Sequence, residues 1–421
     1  MKLTHITFEN YKAFQSPQAF NIKPITVIIG KNSAGKSVIS RLPVLLARAL
    51  SPLATDPVEV QFEDLDFGGS FRDLIPNRFA HGNLRFQLVF EDAQKTLDLE
   101  VVIQNVADSP LQIIAHFLIK SNEGFLLELN WNMAEPSNPF QTYHANGAID
   151  GEVIVQFKGI LPVRIMRPTD ESLINDAQLK SLIYEIWTAT ESINYLGPFR
   201  APPKRTYVHK SSQLTNIGHQ GEAAPHILCM KSLVDAKKAL VVGNGFAENL
   251  GGWKLEISTH QEGFAIVLIS PTDSNVKINL MDVGLGINQV LPLVVRGFLG
   301  SKNTNGIDII EQPELHLHPA AHGNLAELIV NTAKHENGRF IIETHSENFI
   351  LRIRRLIAES QLDCQNVIIY WVNNDEDACT TLKPISIDNE GEVDYWPKGV
   401  FTEDYQELIA IRKAQKNSYY K

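Results

Sequence analysis

The chain has 421 residues, 44% of them hydrophobic and 20% charged, an ordinary globular balance with ample material for a core. A net charge of −10 argues against a nucleic-acid binder overall, since any such contact would need a local basic patch. Cys229, Cys364 and Cys379 have no metal-ligand spacing, and no apolar run reaches the ~18–20 residues that span a bilayer. With a strand-like run directly after Met1, these features lead us to expect a cytoplasmic protein without signal peptide or membrane segment.

Alternating "KLTHITFENY" and "QAFNI" open the chain, followed by the apolar strand "ITVIIG" and a helix predicted to reach about Leu50. From Leu84 to Gly159, short β runs separated by Gly, Asn, Asp and Ser read as an antiparallel meander. "NDAQLKSLIYEIWTATESI" reads as a helix, and "YLGPFRAPPKR", dense in Pro and Arg, as irregular structure. "WKLEIST" and "FAIVLIS" read as strands ahead of "MDVGLGINQVLPLVV", and strand and helix then alternate to about Asn374. No internal repeat, low-complexity tract or sustained heptad pattern interrupts this order.

"GKNSAGKS", covering Gly30, Lys31, Asn32, Ser33, Ala34, Gly35, Lys36 and Ser37, fits a phosphate loop. Glycines let backbone N–H groups wrap a polyphosphate, and the following helix N-terminus adds a positive dipole. Lys36 would reach the β- and γ-phosphates of ATP, and the Ser37 hydroxyl would ligate Mg2+. A bland Gly-rich turn fits less well, because the motif follows one apolar strand and opens a helix.

Two later strands end in chemistry. "GIDIIEQPELHLHP" closes an apolar run on Glu311, where a magnesium-side acid would sit. The neighbouring position, ordinarily an acid that activates water, is Gln312, an amide that cannot take a proton. "GRFIIETHSENF" brings Glu343, Thr344, His345 and Ser346 to another strand end, where a His can contact a γ-phosphate. Between the phosphate loop and these strands, "DVGLGINQ" (Asp282–Gln289) forms a Gly-rich entry to a helix, a weak anion site taken alone.

This order of motifs resembles the ABC-type ATPases. "ITFENYKAF", "EQPELHLHP" and "ETHSE" are similar to the OLD-like members of the RecF/SMC-related branch, rather than to transporters. "GSFRDLI", "INYLGPFRAPPKR" and "YWPKGVFTEDYQEL" resemble a short subgroup without a fused nuclease, often found in phage-defence gene clusters. The resemblance implies an α/β P-loop NTPase: an ABC-type head with a largely parallel core sheet, an antiparallel β subdomain and a helical signature lobe. It divides the chain into residues 1–83 with the phosphate loop, the meander 84–160, a helical and irregular lobe with strands 161–280, and 281–421 with the signature, acid strand and switch His. It further implies a head-to-tail homodimer, or a higher homo-oligomer, sandwiching two ATP molecules. Each phosphate loop would face the partner's signature, carried by Gly284, Gly286 and Asn288, with Asn288 standing where Ser is common.

Water activation stays open among three residues. Gln312 can orient water, Glu314 lies past Pro313, and Glu343 ends the strand expected between the phosphate-loop and acid strands. Very slow hydrolysis, with Gln312 positioning the water, would suit a latch.

Other features have blander readings. His316 and His318 could pair on a metal but fit interface loop residues better. The run Asp375, Glu376, Asp377 reads as a solvated turn, since the stretch after His345 is shorter than the nuclease domain of longer OLD proteins. Arg200, Lys204, Arg205, Arg352, Arg354 and Arg355 read as surface charge at least as well as phosphate contacts. The expected function is an ATPase regulating a separate effector, a nuclease or toxin, in antiviral defence. The alternative is a RecF-like repair ATPase acting directly on DNA, which the net charge does not favour.

Overall fold

The computed structural model describes residues 1–79, 82–106, 111–132, 141–210, 214, 216–234, 252–299, 306–336, 338–374, 380–397, 400–401 and 403–419. The acid run Asp375–Asp377 and Cys379 lie outside these residues.

Alternation of apolar and polar residues builds the larger of two principal sheets. In Asn83–Glu91 and Thr96–Asn105, every second residue is buried, with Leu97, Leu99, Val101 and Ile103 fully so. The meander runs on through Gln112–Ser121, Leu126–Trp131, Gln141–Gly147, Gly151–Lys158 and Leu161–Met166. It is not self-contained: Lys2–Glu9 pairs with Asn83–Glu91 and carries Gln18–Asn21 at its other edge, completing nine strands.

Continuous apolar runs build the other sheet. Its six strands lie in the order Ile193–Leu196, Ile307–Glu311, Arg339–Glu343, Ile25–Gly30, Val367–Asn374 and Thr380–Ile385. The first five pair in parallel, and the last is an antiparallel edge. Such runs are buried on both faces, as parallel sheets require. Ile28, Ile309, Ile341 and Tyr370 face one core, shared with the phosphate-loop helix Lys36–Ala49 and the nine-stranded sheet. Val27, Ile310, Ile342 and Ile369 face a second core with the helices Pro319–Glu336 and Glu347–Ala358.

Parallel and antiparallel pairing fall largely in different sheets. The largest sheet is antiparallel throughout, and parallel pairing is confined to the smaller one. The difference arises because the N-terminal strands alternate and leave one side polar, so they extend the meander instead of entering the doubly covered sheet. The strands of the lobe over residues 161–280 form a small antiparallel sheet, in which Gly263–Ile269 pairs with Tyr207–Val208, Lys254–His260 and Lys277–Asn279. It packs with the helices Ala224–Val234 and Leu285–Leu299. Among the described residues, no helix is long and apolar enough to cross a membrane.

Candidate nucleotide site

The strand Ile25–Gly30 delivers the chain into a loop whose backbone is left-handed at Ser33 (φ 62°) and Gly35 (φ 100°). Gly35 caps the helix Lys36–Ala49 through its backbone position alone, with no side-chain hydrogen bond to the first turn. The N–H groups that begin a helix thus keep their capacity for an anion. Lys31, Asn32 and Ser33 are exposed, while Ala34 and Lys36 are buried. Lys36 Nζ folds back on its own loop, donating to the carbonyls of Gly30 (3.1 Å) and Lys31 (2.8 Å). Burial lowers its pKa, and the Glu343 charge opposes that shift.

The parallel register sets Glu311 beside Glu343, and Glu343 beside Ile28 of the phosphate-loop strand. Two carboxylates thus end adjacent strands, 1% and 2% exposed. Such a pair is tolerable only with compensation. Arg41 supplies it to Glu311 through two parallel bonds, Nε to Oε1 and Nη2 to Oε2, both 2.7 Å. The guanidinium also lies over the Tyr195 ring, 5.5 Å from its centre. Glu343 accepts from the Ser37 hydroxyl at 3.0 Å. Between them, the Ser40 hydroxyl lies 3.0 Å from Glu311 Oε1 and 3.1 Å from Glu343 Oε2. Burial, and then the Glu311 charge, push the Glu343 pKa up to about 7.

Gln312 follows immediately, half-buried, with a left-handed backbone (φ 44°). Its N–H donates to the Glu343 carbonyl at 2.7 Å, and the Arg200 guanidinium donates to the Glu311 carbonyl at 3.3 Å. Strain of this kind persists only where neighbours hold it. Glu314 is buried, its pKa raised by that burial, and its Oε1 accepts from the His345 amide at 2.7 Å. That carboxylate secures the Thr344–Ser346 turn. His345 presents surface to solvent, yet desolvation and then the Lys36 charge hold its pKa below the ordinary imidazole range.

The sequence leaves Arg200 open between a phosphate contact and a surface charge. It is 8% exposed, and its Nε and Nη1 have no partner among the described residues. Burial brings its pKa down to about 10. Tyr195 was unmarked. Ser40 and Arg41 were within reach, because they stand three and four residues after Ser37 on the same helix face.

The remaining arginines of the basic clusters are committed elsewhere. Arg205 pairs with Asp282, Arg352 with Glu327, Arg354 with Glu392 and Arg355 with Glu359. His316 and His318 are exposed, and no group of metal-holding side chains surrounds them among the described residues.

At the signature, the three expected residues part company. Gly284 is exposed, and a Cβ there would meet nothing within 4 Å. At Gly286 a Cβ would lie 2.5 Å from the His316 carbonyl oxygen, so this glycine permits close packing on the "ELHLHP" loop. Asn288, expected to face a partner's phosphate, is buried and donates to the Ala201 carbonyl at 3.0 Å.

The donor set suits a nucleotide with a divalent cation. An uncapped helix N-terminus and a lysine serve polyphosphate, while a hydroxyl and buried carboxylates are hard oxygen ligands of the type Mg2+ takes.

Residues 213–350 match a protein-family model described as an AAA ATPase domain. That span includes the signature, Glu311, Gln312, Glu314, Glu343 and His345, and excludes the phosphate loop. No curated protein matches the chain. Among solved structures, an SMC head domain from Thermotoga maritima aligns at 13% identity, covering 92% of this chain and 100% of its own, with a TM-score of 0.45. An Smc head bound to the C-winged helix domain of ScpA aligns at 15% identity, 92% and 98% coverage, and a TM-score of 0.46. An Smc head with an extended coiled coil, bound to the C-terminal domain of ScpA derived from Pyrococcus furiosus, aligns at 13% identity, 98% and 99% coverage, and a TM-score of 0.46. The family match, beside the phosphate loop and the strand order, supports an ATPase of the P-loop type.

Proposed function

We propose that the chain is an ABC-type ATPase that binds ATP with magnesium, hydrolyses it slowly and works as a nucleotide-held latch. The observation that carries this reading is a phosphate loop whose Lys36 and Ser37 stand beside a buried pair of strand-end carboxylates. Lys36 would leave the Gly30 and Lys31 carbonyls for the β- and γ-phosphate oxygens, with the loop N–H groups holding the rest of the chain of phosphates. Magnesium, when bound, would supply charge neutralisation at those oxygens; Ser37 and the strand-end carboxylate it touches would hold it.

Slowness follows from how the acids are occupied. Glu311 is paired with Arg41, Glu343 accepts from Ser37, and Glu314 accepts from the His345 amide. The residue following the acid strand is Gln312, whose amide orients water without taking its proton. Two such chains would sandwich ATP, each offering Gly284 to the other's phosphates, and the closed state would regulate a separate effector, a nuclease or toxin. Antiviral defence is the role favoured by the resemblance of "EQPELHLHP" and "ETHSE" to OLD-like proteins.

Titration of a fluorescent ATP analogue into wild type and Lys36→Ala tests the nucleotide reading. Removing one charged hydrogen bond should weaken binding about 10–100-fold. Equal affinity in the two proteins overturns it. Co-expression with neighbouring genes under phage challenge tests the role: protection lost in Lys36→Ala is expected, and unchanged protection counts against an ATP-dependent latch.

A further inference from the structure

We infer that the carboxylate serving the nucleotide's divalent cation is Glu343, while Glu311, at the acid position where the sequence pattern places that role, is committed to Arg41. This deepens the nucleotide reading above and rests on it. Three observations point the same way.

Proximity comes first. The phosphate-loop hydroxyl, Ser37, donates to Glu343 at 3.0 Å, and Glu343 stands on the strand adjoining the phosphate-loop strand, opposite Ile28. Glu311 stands one strand further out, opposite Glu343, and the helix hydroxyl that reaches it is Ser40, a turn deeper than Ser37.

Occupancy comes second. Both Glu311 oxygens are taken by a bidentate guanidinium at 2.7 Å, which the Tyr195 ring covers. A cation approaching Glu311 would have to displace that fork and remain beside its positive charge. Among the described residues no guanidinium holds the Glu343 carboxylate, which accepts from the two serine hydroxyls.

Charge balance comes third. Before nucleotide binds, Arg41 and Lys36 offset the two carboxylates. Once Lys36 turns to phosphate, Arg41 continues to neutralise Glu311, and Glu343 alone is left buried without a countercharge. A divalent cation between Glu343, Ser37 and the phosphates restores the balance at that position.

The experiment measures the gain in nucleotide affinity on adding Mg2+, using a fluorescent ATP analogue in chelated and magnesium-containing buffer. Binding of Mn2+ with the nucleotide, followed by electron paramagnetic resonance, gives a second readout independent of turnover. Three proteins are compared: wild type, Glu343→Gln, and the double variant Glu311→Gln with Arg41→Met. The double variant leaves no buried guanidinium unpaired, and thermal melts check that each protein folds. Glu343→Gln should cut the magnesium-dependent gain and the Mn2+ affinity by about 10–100-fold, the scale seen for carboxylates around metal sites. The double variant should keep the wild-type gain. Loss confined to the double variant, or equal loss in both, overturns the assignment. A wild type that binds nucleotide equally with and without the cation also overturns it, leaving the nucleotide reading intact. Failure of wild type to bind nucleotide in either buffer removes both.

Discussion

The phosphate loop and the signature are the two halves of one proposed interface, and the chain treats them differently. At the loop, polar groups are turned onto the chain's own atoms: Lys36 onto carbonyls, Ser37 and Ser40 onto Glu343 and Glu311, and Arg41 onto Glu311. At the signature, Asn288 is turned inward to Ala201 and Gly286 packs on His316, leaving Gly284 uncovered. A buried charged half must be complete within one subunit, because each unpaired group there costs on the order of 1–3 kcal/mol. An exposed half needs only room and free backbone, which a glycine supplies. In the proposed sandwich the chemistry would sit on the loop side, and the signature side would control access.

Gln312 offers the largest break in that division. Supplying a carboxylate at the residue beside the acid strand should speed single-turnover hydrolysis by about 10²–10⁴, the usual yield of a general base. Faster turnover shortens the ATP-bound state, so a latch should weaken as the enzyme strengthens. Gln312→Glu that hydrolyses no faster than wild type would refute the slow-latch account.

The signature half is tested by contrasting its glycines. Gly284→Arg adds a side chain into open space, so the subunit should fold and bind ATP normally. ATP-dependent dimerisation should weaken by at least ~2 kcal/mol, the scale of an interface hot spot. Gly286→Arg drives a Cβ into the His316 carbonyl and should lower the melting temperature of the monomer instead. Sedimentation with and without ATP separates the two. Intact ATP-dependent dimers in Gly284→Arg would remove Gly284 from the interface.

The same contrast explains what was legible in the sequence. The phosphate loop could be read because its conformation is local: Gly35 takes a left-handed φ, Lys36 and Ser37 open the helix, and the spacing fixes all three. The alternation that made the meander a sheet was equally local, but its neighbours were not. Whether Lys2–Glu9 joins it depends on which edge is open after folding. The carboxylate pairing was hidden for a stronger reason. Arg41 and Glu311 are 270 positions apart, and Ser37 and Glu343 are 306 apart, so only the strand order brings them together. Arg200 sits in a Pro-rich segment without periodicity, where no pattern separates a buried guanidinium from a surface one.

The smallest effect concerns stability, and it sharpens the claim that the loop half is internally compensated. In the protein free of nucleotide and metal, Glu343 carries a pKa raised from 4.5 to about 7, by burial first and by Glu311 second. A carboxyl whose folded pKa exceeds its unfolded value contributes stability fully below the unfolded value and loses it as pH rises through the folded one. The window therefore runs from about pH 4.5 to about pH 7. Glu311, Lys36 and Arg41 are the charged groups facing it. The amide introduced by Glu343→Gln is neutral at every pH. The stability of that variant relative to wild type should therefore climb across the window by about 1–2 kcal/mol, allowing for relaxation around the pair. His345, whose pKa is lowered, bends the profile the other way in both proteins and cancels in the difference. Denaturant melts of both proteins in chelated buffer, from about pH 4 to about pH 8, measure it. Parallel profiles would mean that Glu343 is fully compensated as the anion, and that Ser37 and Ser40 hold it without strain.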